Sequence, residues 1–144
     1  MIDKDWHSPN SIRFTKPQVR WLIPRLQQLR NGEYPPDPRE SGYTDQGIQG
    51  RQFRAGAAFE TPAGIAAELD VRIQRAGIDG LLLELLYTVE PDDELFFLQH
   101  IASAMNEDIP RITKRIKNAL AYCSGSGRKS RTYQQFIHHR EGKQ

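Results

Sequence analysis

Apolar residues recur along this chain at steps of three and four, the spacing of one face of a helix. Val19, Leu22, Ile23, Leu26 and Leu29 form the first such run. Thr15 and Lys16 lead into it and Pro17 suits its first turn. Pro24 lies inside it, where the missing N–H and the ring clash predict a kink or a split. Asn31-Gly32 is a stop signal. A second run holds Ile65, Ala66, Leu69, Ile73 and Ala76, opened by Thr61-Pro62 and closed by Gly77. Glu68, Asp70, Arg72 and Arg75 are expected to face water. Asp79 is expected to cap the next helix, LLLELLYTV. There Leu81, Leu82, Leu85, Leu86 and Val89 leave few polar positions, so it is expected to be the most buried helix.

Two further helices follow the break Glu90-Pro91-Asp92-Asp93. From Asp93 to Met105, the residues Leu95, Leu98, Ile101, Ala102 and Met105 are spaced to face inward. From Ile109, the residues Ile112, Ile116, Ala119 and Leu120 continue one apolar stripe. Between the two, Asn106 is one of the few non-glycine residues that readily enters the left-handed region, and Asp108 suits the N-cap of the second helix. The turn is short, so the pair reads as a helix-turn-helix.

Elsewhere the period is lost. Residues 1–14 read as an irregular arm. Glu33 to Gly50 carries three prolines and three glycines and reads as an extended loop. Arg51 to Glu60 allows a helical turn or two, with Arg51 and Arg54 as phosphate contacts or plain surface charges. No internal repeat is visible. The expected fold is all-α: a small helical domain with a C-terminal helix-turn-helix and an irregular Pro/Gly-rich insertion in the N-terminal half. Three segments are expected: 1–60 as arm, kinked helix and loop, 61–123 as helical domain with the helix-turn-helix at 95–123, and 124–144 as a basic C-terminal arm.

The polar face of the last helix adds chemistry to this outline. Arg111, Lys114, Arg115 and Asn118 fall on a second stripe, with Lys117 beside it and Thr113 near the start. A helix fits the major groove of B-DNA, and these side chains grip phosphates and base edges there. The alternative is a plain αα-hairpin with a solvated basic face. Charge favours a polyanion. Residues 1–105 hold eleven Lys/Arg against fifteen Asp/Glu, whereas residues 106–144 hold nine against three. The arm after the Ser124–Gly127 hinge contributes Arg128, Lys129 and Arg131 to the candidate DNA contacts, while Tyr133, Phe136 and Ile137 are spaced to dock as a short helix. The alternative for this arm is a structureless tail.

Other function classes find little support. Cys123 is the only cysteine, so neither an internal disulfide nor a cysteine-based zinc cluster is expected. No phosphate-binding glycine loop, nucleophile elbow or zinc signature is present, and neither enzyme activity nor a cofactor or metal is expected. Asp92, Asp93 and Glu94 precede a helix, where its dipole favours acids. His138-His139 lacks partners at ligand spacing. No run approaches a membrane span, and MIDKDWHSPN lacks the pattern of a secretory signal, so a soluble protein with a cytoplasmic place is expected.

The pattern Ile101-Ala102-x-x-Met105-Asn106-x-Asp108-x-x-Arg111-Ile112-x-x-Arg115-Ile116-x-x-Ala119-Leu120 resembles the helix-turn-helix of sigma-factor region 4 and its bacteriophage relatives. Met105 stands where that family commonly has Leu, Asn106 for its turn Gly, Asp108 for its capping Ser and Ile112 for its Val. LLLELLY is similar to the helix that often leads into this unit. The sequence departs from the pattern at the turn, and its EPDDELFF connection is longer. Over roughly residues 78–123 the chain is similar to small phage late-gene transcription regulators and antiterminators of the ArpU, RinA and Q kinds. The resemblance implies a phage or prophage transcription regulator with double-stranded DNA as partner. RNA polymerase and a second copy of the chain are further candidates. Two alternatives stay open: a small-terminase-like DNA-packaging protein, and a helical adaptor that binds protein alone.

Overall fold

Pro24 splits the first helix. In the computed structural model, which describes residues 6–37, 61–124 and 132–142, α1 spans Lys16–Leu22 and α2 spans Leu26–Arg30, joined by a 3-10 turn at Ile23–Arg25. Thr15 caps α1 in a reciprocal box: its hydroxyl accepts from the Gln18 N–H, and Gln18 Oε1 accepts from the Thr15 N–H. Gly32, at φ 86°, closes α2. Its N–H donates to the Leu29 carbonyl at 2.9 Å and the Glu33 N–H reaches back to Gln28 at 3.1 Å, the paired bonds of a Schellman motif. The expected loop beyond residue 37 lies outside the described residues, as do the piece Arg51–Glu60 with its two arginines and the cluster Arg128, Lys129 and Arg131.

The stretch ahead of α1 is irregular as expected, but its described residues do not form a detached arm. Ile12 and Phe14 are buried in the common core. The buried Gln18 amide holds this stretch, donating to the Ser11 carbonyl at 2.8 Å and accepting from the Arg13 N–H at 2.8 Å. With the Thr15 N–H bond to the same Gln18 oxygen, they bracket Phe14, whose φ of 56° is unusual for a bulky residue.

α3 spans Pro62–Arg75, capped by the Thr61 side chain on the Gly64 N–H, and α4 spans Gly77–Thr88. Gly77 turns the chain between them in the left-handed region, at φ 62°. Gly80 then lets the two helices approach. A Cβ there would lie 2.1 Å from the Ile73 carbonyl oxygen, a distance no side chain tolerates. A forked pair of hydrogen bonds from Arg30 to Asp70, at 2.6 and 3.0 Å, ties α2 to α3. α5 spans Glu94–Met105 after a 3-10 turn at Pro91–Asp93, α6 spans Ile109–Cys123, and α7 spans Tyr133–Gly142. The described residues are all-helical, with no strand among them. One apolar core runs through α1–α4, Ala102 of α5, α6 and Tyr133 of α7, with Phe97, Leu98, Ile101 and Met105 of α5 packed at its margin.

Several expectations are corrected here. α6, not α4, is the central helix: it packs on α4 most extensively, and also on α1, α3, α5 and α7. α4 buries Leu82, Leu83 and Leu86 but leaves Ile78, Leu81 and Leu85 exposed. An all-apolar stretch does not tell which of its faces will be covered. Asp79 does not cap α4, which starts two residues earlier; its carboxylate is buried inside the molecule. Arg72 does not face water. It is buried, with Nε donating to Glu68 at 2.8 Å, Nη1 to the Cys123 carbonyl at 2.9 Å and its guanidinium 4.4 Å above the Phe14 ring. It thus places a cation on the C-terminal end of α6, where the dipole is negative. Leu95 points outward, 61% exposed, and α5 buries only Ala102.

Candidate nucleic-acid interface

The turn between α5 and α6 forms as its residues dictate. Asn106 adopts the left-handed conformation at φ 56°, ψ 44°. Its N–H donates to Ser103 at 3.2 Å and the Glu107 N–H donates to Ala102 at 2.9 Å. These are the same two bonds that close α2, with Asn in the place of Gly32. Ala102, the one buried residue of α5, sits under this turn. Asp108 then caps α6, accepting the Arg111 N–H at 3.0 Å, and Pro110 occupies the first turn, where no N–H is needed.

The basic stripe divides between two fates. Arg111, Lys114 and Lys117 are exposed, and Arg111 keeps 72% of its side chain in water with only a loose 3.8 Å ion pair to Glu107. Thr113 is half-buried beside them. Arg115 falls on the same stripe by spacing, but its charge is directed inward. Its Nε donates to Asp79 Oδ1 at 2.7 Å, and its Nη1 donates to both Glu107 oxygens at 3.0 and 3.1 Å. Burial works against this guanidinium, but hydrogen bonds and charge from Asp79 and Glu107 outweigh it and raise its pKa further. Asn118 departs from the expectation outright. It is 8% exposed, because α6 from Asn118 to Cys123 is buried on every side. A groove floor cannot reach it there.

Asp79 is the residue that periodicity missed. Its second oxygen, Oδ2, accepts the Tyr133 hydroxyl of α7 at 2.7 Å. Burial first, and then the bond to Asp79, raise the Tyr133 pKa far above the ordinary phenol range, so the phenol stays a donor. Tyr122 meets the Tyr133 and Phe136 rings edge-on at 5.2 Å each. The expected docking of Tyr133, Phe136 and Ile137 as a short helix is therefore what the structure has, although His138, His139 and Arg140 on the same helix stay exposed. The only sequence signal for Asp79 is an acid two residues before the start of an apolar run, which equally signals a cap.

Among the described residues, exposed apolar side chains gather at two places. Ile78, Leu81 and Leu85 follow one another at steps of three and four and share one face of α4; Leu95 and Phe96, 71% exposed, open α5 behind Asp92, Asp93 and Glu94. No helix among the described residues is long and apolar enough to cross a membrane, and among them no cluster of three His, Cys, Asp or Glu side chains forms a metal-holding group. No protein-family model, curated protein or solved structure matches this chain.

Proposed function

We propose that this chain is a DNA-binding transcription regulator, of the phage kind its residues 78–123 resemble, that presents the first two turns of α6 to the major groove. One observation carries the reading: a left-handed Asn106 turn joins two helices, and directly after it the capped α6 exposes Arg111, Lys114 and Lys117 together. The N-terminal residues of a second helix are the ones that reach base edges in this class of unit. The exposed cations supply the phosphate attraction that any DNA binder needs. Arg115 and Asn118 are left out of the contact set, Arg115 because it is paired internally and Asn118 because it is buried. Selection from a random duplex pool, followed by fluorescence anisotropy on the enriched sequence, tests the reading. The double substitution Arg111→Ala, Lys114→Ala should reduce affinity at least about tenfold and flatten the salt dependence by about two phosphate contacts. Equal binding by wild type and double variant would remove the groove assignment.

A second reading, a protein-binding adaptor with RNA polymerase or a second copy as partner, is favoured by the uncovered Ile78, Leu81 and Leu85 and by Leu95 and Phe96. The two readings separate simply: an adaptor shows no salt-dependent retention of any duplex.

A further inference from the structure

Three helices, α4, α6 and α7, are joined through a single carboxylate. Asp79, 7% exposed in the first turn of α4, divides its two oxygens between Arg115 of α6 and Tyr133 of α7. Arg115 in turn divides its donors between Asp79 and Glu107, in the turn between α5 and α6. Glu107 is also the residue whose N–H closes that turn on Ala102, and its carboxylate lies 3.8 Å from the exposed Arg111. A continuous line of charge-assisted bonds therefore runs from the C-terminal helix to the turn that aims α6. Bonds in such a partly buried line polarise one another, so loss of one donor alters the geometry of the next.

We propose that Asp79 and Tyr133 are positioning residues for the helix-turn-helix: α7, latched to α4 through the Tyr133 hydroxyl, holds Arg115, and Arg115 holds the Glu107 turn in the geometry that presents α6. Ring packing alone would let Phe serve at position 133, since Tyr122 and Phe136 meet its ring and not its hydroxyl. The hydroxyl is there for Asp79. The functional half of the proposal rests on the DNA-binding reading above; the structural half does not.

Tyr133→Phe tests it with two readouts. In amide hydrogen exchange without DNA, the Asn106 and Glu107 N–H groups should exchange about tenfold faster, although they lie more than twenty residues away in sequence. In anisotropy with the selected duplex, affinity should fall roughly two- to thirtyfold, the range of such indirect couplings. Unchanged exchange at residues 106 and 107 overturns the relay, whatever DNA binding does. Faster exchange with unchanged affinity overturns the positioning role. If wild type binds no duplex, the DNA reading and the functional half fall together, and the exchange result still decides the relay. Should Tyr133→Phe not fold, Glu107→Gln probes the same line from its other end. Coupling is reciprocal, so it should speed exchange at the Phe136 N–H, which donates to Thr132; no change there overturns the relay.

Discussion

The two halves of α6 obey the same sequence period and end in opposite environments. From Ile109 to Lys117 the helix has one buried face, made by Ile112 and Ile116, and one wet face with Arg111, Lys114 and Lys117. From Asn118 to Cys123 every residue is buried; Arg72 of α3 reaches the Cys123 carbonyl and the Tyr133 and Phe136 rings of α7 pack on Tyr122. The apolar stripe holds along the whole length. The basic stripe holds only where no other element arrives. A polar residue on the far side of an amphipathic helix is a surface residue only if the neighbours stop short of it, and here α7, packed on Tyr122, does not. The same helix therefore serves as core at one end and as the candidate reading surface at the other.

The difference between the halves can be broken most severely at the buried end. Tyr122→Ala should destabilise the fold by about 3–5 kcal/mol, seen as a large drop in the thermal midpoint, since it removes a ring packed on two others. A midpoint within a degree or two of wild type would mean that α7 does not seal this end. Next comes the border residue. Arg115→Met should cost about 1–2 kcal/mol, because Asp79 keeps its burial and loses a cation, with the effect reduced by partial solvent access to Arg115. The same substitution should leave the salt slope of DNA binding unchanged if Arg115 meets no phosphate. Asp108→Ala should cost about 1 kcal/mol through the lost cap and act on the exposed half alone. Arg111→Ala should change stability least, by less than about 0.5 kcal/mol, while lowering the salt slope of DNA binding by about one. The contrast between Tyr122, whose loss costs stability most, and Arg111, whose loss costs it least but lowers the DNA salt slope, is the sharpest form of the comparison.

Much of the architecture was legible in local chemistry. Pro24 splits its helix because a ring and a missing N–H act on their own turn. Thr15, Thr61 and Asp108 cap because a short oxygen-bearing side chain reaches the N–H three residues on. Asn106 takes the left-handed turn because its side chain tolerates that region better than most. What was not legible depended on partners distant in sequence. Arg72 meets a carbonyl 51 residues away, Arg115 a carboxylate 36 away and Tyr133 the same carboxylate 54 away. No periodicity foretells such meetings, so Arg72 and Arg115 read as surface charge and Asp79 as a cap. The face of α4 was ambiguous for a related reason: with leucines all round, only the neighbours decide which ones are covered.

The sequence by itself thus determined where helices begin, break and end, and which residue turns the chain between α5 and α6. Those are decided within four or five residues by backbone geometry and side-chain reach. Only the tertiary structure decided which cations α6 still offers and which are bound inside. A long charged side chain is soluble on the surface and stable in the core only when a carboxylate waits for it there, and the fold alone brings Asp79 to that place.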